Sequence, residues 1–528
     1  MPDIVWTDRS RTETYQRCPR LRFLEYHQNG TGIAPARKPL ALCVGGSVHV
    51  GLEHLLLGDT EDVAVAAALA DFATHRRALA LDTTELTAMT TVDPQSLESQ
   101  MLATAADLGL PADDPSLVAL AKQRDSASAQ FDDWLWQEQA SLVEGLVRAY
   151  SRRRLRPLLE EYEVLEVERE GDWELYEGVH GTNLTVVPAI RFMSRPDALL
   201  RNRNDNSLYL LSFKTAASWD IRKARDAEHD MQGLSEGVEV ERRLAAWWQE
   251  MRQAGGLLNV PAGYTAAEVL PVVNFLGGVP APPRILGIRY EYLLKGSRWQ
   301  DKELSQRFGL NVWSQRSHLI RRFVAHSTPS RGKNASAFNV GDQAWSWDYH
   351  LEDGSTSKLS ASNWHGEPVW EHGGSVRAWI DALDDAEETM SAYDSTTGAD
   401  PRPVGWKSRA QAVGYTAQHP LDAVFVPPIT VFRQDEELRN WVEQTEYQER
   451  RVAEAVAQLE STTDEGERRS LLNQHFSQTR KACEYPSTCA MSKICWGSED
   501  LQRDPLGSGL YRRREPNHVM EKEARSHE

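Results

Sequence analysis

The chain has 528 residues, of which 41% are hydrophobic and 26% are charged, a composition typical of a folded globular protein. Its 59 basic and 77 acidic residues give a formal net charge of −18. This charge excludes a protein that coats nucleic acid through overall positive charge, but it does not exclude a local basic channel. No uncharged apolar run approaches the ~18–20 residues that span a bilayer, and the N-terminus has neither a basic start nor an apolar segment. The sequence therefore predicts a cytoplasmic protein with no membrane partner.

The first third of the chain reads as helical. Residues 10–30 form a polar pattern that contains Cys18, and residues 39–58 lead into a helix with apolar periodicity. Residues 61–130 are rich in alanine and leucine and are interrupted by prolines, which indicates a helical insertion. Residues 131–161 read as one long helix.

The middle of the chain changes to alternating apolar patterns that predict strands. Five stretches have this pattern: 162–170, 184–192, 197–201, 208–213 and 284–294. Polar turn residues separate the third stretch from the fourth, which predicts an antiparallel hairpin, and a helix is expected over about 220–236. The middle therefore predicts a mixed α/β core.

The remaining third is less regular. Residues 297–380 contain seven tryptophans: Trp299, Trp313, Trp345, Trp347, Trp364, Trp370 and Trp379. These rings either build a core or form a platform on which single-stranded bases stack. Residues 433–475 return to charged helix, and the tail after Pro505 is predicted to be loosely ordered.

These patterns divide the chain into six parts. They are an N-terminal part of a core domain, a helical insertion, the main core, a Trp-rich accessory region, a C-terminal helix with a cysteine cluster, and a tail: 1–58, 59–130, 131–296, 297–432, 433–500 and 501–528.

Asp197 and Lys214 form the pair around which a candidate site is predicted. Asp197 precedes one strand of the predicted hairpin and Lys214 ends the other, so the two side chains are expected to meet. A carboxylate offers the hard oxygen that a divalent cation prefers, and a lysine beside it can orient water and stabilise charge on a phosphate. Gln232 is a candidate to support the lysine, and His49 is a candidate metal ligand. Taken singly, Asp197 also suits a turn cap and His49 an ordinary structural role.

Five cysteines are too few, and odd in number, for a disulfide scaffold. Cys18 and Cys43 lie near the start, whereas Cys483, Cys489 and Cys495 follow one another with five residues in each gap. The triplet indicates metal or cluster ligation. Zinc sites usually have tighter spacings, so these gaps favour a larger cluster, with zinc or buried thiols as alternatives.

Four pieces of the sequence, in this order, resemble the PD-(D/E)xK phosphodiesterases of the RecB-like branch. They are Cys18-Pro19-Arg20 through Tyr26, the Gly-x-x-x-His segment Gly45 to His49, the Asp197 and Lys214 pair followed by Gln232, and the cysteine triplet. The branch includes AddB-type helicase-nucleases and CRISPR-associated adaptation exonucleases. In these proteins four cysteines hold a 4Fe–4S cluster that joins the two ends of the nuclease domain.

The resemblance implies a fold and a set of roles. The fold would be a restriction-endonuclease-like mixed sheet flanked by helices, with large helical and Trp-rich insertions. Asp197, helped by His49, would bind Mg²⁺ or Mn²⁺, Lys214 would orient the attacking water, and Gln232 would support Lys214. The cluster ligands would be Cys18, Cys483, Cys489 and Cys495, with Cys43 as a bystander.

Two positions depart from the family pattern. The second acidic ligand, two residues before the lysine, is replaced by Ser212, and the tyrosine that often follows the glutamine is replaced by Glu236. A hydroxyl is a poor ligand for Mg²⁺ compared with a carboxylate. Either another acid has taken over, or the site works weakly with His49 and Asp197, or it is inactive. The candidates for a migrated acid are Glu53, Asp220, Asp226, Glu228 and Asp230.

The function expected from these residues is metal-dependent cleavage of DNA, as an exonuclease acting on single strands or duplex ends, in recombination, repair, replication or defence. The chain has no Walker-type loop, so a helicase motor would be a separate partner. One alternative is an inactive DNA-binding or assembly subunit that keeps the fold and the iron–sulfur cluster. Another is a zinc-stabilised interaction protein unrelated to nucleases.

Overall fold

The structure is a computed structural model of the whole chain. It describes thirteen continuous segments and five isolated positions: 4–36, 38–79, 133, 135–178, 188–217, 221–255, 260, 264–295, 299–301, 312–314, 346–350, 356–360, 377, 380, 424–484, 489–516, 518 and 521–522. Most of the predicted helical insertion and of the Trp-rich region, as well as the candidate Asp220, therefore lies outside the described residues.

The N-terminal elements are two short strands and six helices. In chain order they are β1 (Ile4–Asp8), α1 (Arg9–Arg17), α2 (Pro19–Tyr26), β2 (Ile33–Pro35), α3 (Leu40–Leu56), α4 (Glu61–Leu79), α5 (135–150) and α6 (Arg156–Glu161). The predicted helix over 10–30 is two helices, because Cys18 precedes a proline and takes an extended backbone conformation. Pro19 then starts α2 at a position where its missing N–H costs nothing.

The central elements include most of the sheet. They are β3 (Tyr162–Val167), β4 (Gly171–Tyr176), β5 (Ala189–Ser194), β6 (Ala198–Asn202), β7 (Leu208–Ala216), α7 (Ile221–Glu228), α8 (Met231–Gln253), α9 (Ala266–Gly278) and β8 (Ile285–Leu294). The predicted helix over 220–236 is in fact α7 and the first turns of α8, separated at Asp230. The Asp230 side chain accepts a hydrogen bond from the Gln232 amide and caps α8.

The C-terminal elements are shorter, apart from one long helix. They are β9 (Trp299–Asp301), β10 (Val312–Ser314), β11 (Ser346–His350), β12 (Thr356–Ser360), β13 (Ile429–Phe432), α10 (Asp435–Ser461), α11 (Glu465–His475), α12 (Ser492–Trp496), α13 (Glu499–Arg503) and β14 (Tyr511–Arg513). Strands β9 and β10 pair with each other, as do β11 and β12.

A five-stranded mixed sheet has the order β13-β8-β7-β6-β3, in which only β7 and β8 are parallel. The predicted hairpin is present as β6 and β7, with Ala198 opposite Leu211. Alternate residues of β7 enter opposite layers: Leu208 and Leu210 pack beneath α8 and α9, whereas Leu211 and Phe213 pack beneath α3 and α5. The predicted mixed α/β class is confirmed, and the sheet is buried on both faces.

A second, three-stranded sheet has the order β1-β5-β4. Strands β1 and β5 are parallel and in register, from Ile4 opposite Ala189 to Asp8 opposite Met193, so they end side by side. Helix α8 joins the two sheets, since Val238 packs on the small sheet and Leu244 on the large one. This arrangement brings the ends of β5, β6 and β7 to the start of α8.

The C-terminal tail is ordered against the N-terminal helices where the structure describes it. Strand β14 pairs with β2, and Arg514 lies 3.2 Å from Glu25. Glu521 is only 2% exposed and contacts Arg11 at 2.5 Å. The expectation of a loose tail was wrong, because the tail supplies hydrogen bonds and charges that buried N-terminal groups require. None of the described helices has the length and apolar character needed to span a membrane.

Candidate functional site

A cavity of about 640 Å³ opens where the two sheets meet α3 and the start of α8. Four predicted site residues, His49, Asp197, Lys214 and Gln232, line it. Each comes from a different element or connection: α3, the β5–β6 connection, β7 and α8. The structure therefore brings together residues that are as far as 183 positions apart in the sequence.

Asp197 is held between the strand ends and is only 6% exposed. Its Oδ2 accepts a hydrogen bond of 2.5 Å from the Phe213 amide, and its Oδ1 lies 3.7 Å from Nδ1 of His49. Burial by itself raises the pKa of Asp197, but His49, the Phe213 amide and Lys214 together outweigh burial and lower it. Asp197 is therefore ionised at neutral pH.

Glu168 joins His49 and Asp197 in a group whose ligand atoms all lie within 4.8 Å of one another. Glu168 follows β3, and its amide donates to the Asp197 carbonyl across the β3–β6 pair at 3.0 Å. Two carboxylates and an imidazole at this spacing offer the oxygen and nitrogen donors that bind Mn²⁺ and Mg²⁺. In the part of the chain that the structure describes, no other three such residues bring their possible ligand atoms within 4.8 Å of one another.

The charge distribution in this group fits a cation. Burial, followed by the negative charge of Asp197, raises the pKa of Glu168 to about 8, although Arg195 at 3.0 Å lowers it. A bound cation would relieve this repulsion and favour the ionised form. The donor set therefore fits a divalent metal.

Lys214 projects from β7 into the same cavity and touches two groups at the start of α8. Its Nζ donates to Oε1 of Gln232 and lies 3.1 Å from Oδ2 of Asp230. Gln232 in turn donates through Nε2 to Oε1 of Glu236 at 2.7 Å. These contacts hold the ammonium group toward the cavity.

The candidates for a migrated acid have different positions. Glu53 lines the cavity and Asp230 pairs with Lys214, whereas Asp226 and Glu228 lie on α7 and are not part of the cavity wall. Ser212, at the position of the missing acid, is fully buried, and its hydroxyl has no hydrogen-bond partner among the described residues.

Three acids that line this cavity were missed by sequence reasoning, namely Asp8, Glu168 and Glu236. Glu168 lies at the end of a predicted strand, and a positive φ of 47° at this non-glycine residue marks the turn that directs it. That signal becomes visible only when β3 is paired with β6. Glu236 lies four residues after Gln232, a helical spacing that the sequence did offer.

The cysteines Cys18, Cys483, Cys489 and Cys495 line a second, small cavity of about 10 Å³. Cys18 is buried and accepts a contact of 3.4 Å from the Thr479 amide. Burial raises the pKa of Cys489, and it raises that of Cys495 to about 11. Cys43 instead belongs to α3 and is fully buried in the core on which that helix packs.

The spacing of these sulfurs bears on the kind of metal. One zinc ion with sulfurs at ~2.3 Å holds them about 3.8 Å apart. The four sulfurs do not form a group within 4.8 Å in the described part of the chain. This separation is wider than the spacing at which a single zinc ion would hold four sulfurs.

No protein-family model matches this chain, and a search of curated proteins finds none with significant similarity. The function is therefore argued from the two sites alone.

Proposed function

We propose that the protein is a metal-dependent nuclease that hydrolyses phosphodiester bonds at DNA ends, of the PD-(D/E)xK type with a restriction-endonuclease-like core. The observation that carries the proposal is the meeting of His49, Glu168 and Asp197 with Lys214 in one open cavity. Metal-dependent phosphodiester hydrolysis uses groups of these kinds. His49, Glu168 and Asp197 are possible metal ligands, and Lys214 is a positively charged side chain beside them.

His49, Glu168 and Asp197 would hold Mg²⁺ or Mn²⁺. When bound, such an ion polarises a phosphoryl oxygen and lowers the pKa of a water molecule. Lys214, held by Gln232 and Asp230, would orient the attacking water and stabilise the charge that develops on the phosphate. Asp197 keeps its charge through the Phe213 amide and His49.

Glu168 supports an active site despite Ser212. It supplies a second carboxylate from β3, the strand that pairs with β6, where the family pattern would have the acid on β7. The loss of the acid at position 212 is therefore not, by itself, a reason to prefer an inactive DNA-binding subunit.

The four-cysteine cavity supports a structural 4Fe–4S cluster. It joins Cys18, at the start of α2, to three cysteines near the end of the chain. A cluster there would stabilise the contact between the two ends of the chain rather than take part in hydrolysis.

Cleavage of end-labelled single- and double-stranded DNA with Mg²⁺ or Mn²⁺ tests the function. The wild-type protein should shorten the labelled strands. Lys214→Ala and Glu168→Gln should each reduce the rate about 10²-fold or more, because each removes a group that acts on the transition state.

Arg156→Ala is the matched control, since Arg156 is a basic side chain that is 85% exposed and is not part of the cavity wall. It should cleave like the wild type. A wild-type protein that binds DNA but cleaves it with neither metal would contradict the proposal and favour the inactive DNA-binding subunit.

A further inference from the structure

Three buried polar atoms close to Asp197 have no hydrogen-bond partner among the described residues. They are the hydroxyls of Ser194 and Ser212 and the Oε2 atom of Glu236. The three residues are 5%, 0% and 3% exposed. A buried carboxyl oxygen without a partner is costly, so its presence points to a ligand that supplies one.

Ser212 lies on strand β7 and Glu236 lies on helix α8, and these two elements pack against each other. Ser212 and Lys214 are two residues apart on β7 and project from the same face, the face that α8 covers. Lys214 touches Gln232 on α8, and Glu236 lies one helical turn further along. Ser212 brings no carboxylate to this layer, and it is fully buried.

The contacts of Glu236 leave one oxygen for a ligand. Gln232 donates to Oε1, which holds the carboxyl group in the cavity wall, and Oε2 has no protein partner. Asp230 differs, because it pairs with Lys214 and caps α8. Glu239, three residues further along α8, also has an Oε2 atom without a partner among the described residues, but it does not line the cavity, whereas Glu236 does.

We propose that Glu236 is a divalent-cation ligand in this cavity, beside the group of His49, Glu168 and Asp197, and that it supplies from α8 the carboxylate that β7 lacks at Ser212. The inference rests on the proposed function, because it assumes that a divalent cation binds in this cavity. It does not assume that the bound cation promotes cleavage of DNA. It assigns the acid of the family pattern to a facing helix, and Glu168 adds a further donor from the end of β3.

The test measures Mn²⁺ binding by titration calorimetry without nucleic acid, together with thermal unfolding with and without Mn²⁺. Glu236→Gln in the full chain should weaken Mn²⁺ binding at least tenfold. Its unfolding temperature without metal should stay the same or rise, because an unpaired buried carboxyl is removed. A merely structural carboxyl would behave in the opposite way.

Glu239→Gln is the matched control on the same helix. Glu239 is 1% exposed and is bonded to Arg243 at 2.7 Å, and it does not line the cavity. This variant should lose stability without metal and keep its Mn²⁺ affinity. The double variant Ser212→Asp, Glu236→Gln should recover Mn²⁺ binding, since it returns the carboxylate to the strand.

Wild-type Mn²⁺ affinity in Glu236→Gln would overturn the inference. If that variant does not fold, the double variant decides: recovered affinity supports the inference, and a folded protein without affinity overturns it. Failure of both to fold would assign Glu236 a structural role and also overturn it. Mn²⁺ binding through Glu236 without DNA cleavage would keep this inference and remove the nuclease function.

Discussion

Three carboxyl groups share one cavity around Asp197, and their protonation differs because their neighbours differ. Asp197 has a lowered pKa because His49, an amide and Lys214 outweigh its burial. Burial and the Asp197 charge raise the pKa values of Glu168 and Glu236. Burial first, and the charge of Asp197 second, therefore favour the neutral forms of Glu168 and Glu236, and a bound cation would favour their ionised forms.

His518 is a second residue whose charge depends on tertiary contacts. It lines the cavity from the C-terminal tail, 3.6 Å from Asp8 and 3.4 Å from Glu170. Burial lowers its pKa, but hydrogen bonds and charges from Asp8 and Glu170 outweigh burial and raise it to about 9. The tail is therefore held by a protonated histidine at neutral pH.

Protonation of His518 predicts a pH-dependent stability. A group with a raised folded pKa stabilises fully below its unfolded pKa of about 6.5, and the contribution disappears as the pH rises through about 9. His518→Gln should lower the free energy of unfolding by up to about 3 kcal/mol at pH 6 and little at pH 10. Denaturant unfolding measured across this range checks the prediction.

His54→Gln is the comparison for this experiment. His54 pairs with Asp59 at 2.7 Å, but both side chains are at least a third exposed, so the loss should be below ~1 kcal/mol. A wild-type stability that does not fall between pH 6.5 and 9 relative to His518→Gln would contradict the assignment.

At the scale of elements, α8 sets the geometry of the site. Asp230 caps it, Gln232 and Glu236 face the cavity, and its later turns bury Leu244 against the large sheet. Gly233 allows the close approach, because a Cβ there would lie 2.2 Å from Cδ1 of Ile288. The distance between helix and sheet therefore depends on one missing methyl group.

Gly233→Ala should move α8 away from the sheet and shift Gln232 from Lys214. Overpacking of this kind costs about 1–3 kcal/mol, and the proposed cleavage activity should fall as well. Denaturant unfolding and the DNA cleavage assay measure the two effects.

Gly237→Ala on the same helix is the control, because its Cβ would meet only Leu438 at 3.9 Å. It should be neutral or stabilise the protein by up to about 1 kcal/mol, since alanine restricts the unfolded chain. Equal losses in both variants would show that the close contact of position 233 with Ile288 does not decide the effect.

At the scale of the whole molecule, the two ends of the chain form one unit. Leu21 and Phe23 of α2 share a core with Val452 of α10 and Phe476. Arg22 is 1% exposed and pairs with Glu449 at 2.7 Å. The four-cysteine cavity lies in the same region, so the proposed cluster would reinforce a contact that packing already makes.

The cysteine set predicts the metal content of the protein. Anaerobic purification should yield about four iron and four acid-labile sulfide per chain, as measured by colorimetric analysis. Cys18→Ala should lose most of this iron, because it removes one of four thiolate ligands. Cys43→Ala should keep the iron, because Cys43 lies on the buried face of α3 and does not line the four-cysteine cavity. One zinc per chain in place of iron would contradict the cluster.

Local pattern was sufficient for several features of the fold. The apolar run of β7, the hairpin that joins it to β6 and the helical periodicity of α3 are all visible in the sequence, because each depends on neighbouring residues. The break at Cys18 was missed, although the rule that a residue before proline avoids helical conformation was available. Packing of the tail was missed because its partners, such as Arg11 and Asp8, lie about 510 positions away.

The sequence by itself determined the mixed α/β class and the choice of Asp197, Lys214, Gln232 and His49 as candidate site residues, because residue type and short spacing carry that information. Only the tertiary structure decided that Glu168 and Glu236 belong to the same cavity. A carboxylate on any nearby strand or facing helix can reach this cavity, and spacing along the chain does not record which one does. The pairing of β3 with β6 and the close approach of α8 to β8 determine it instead.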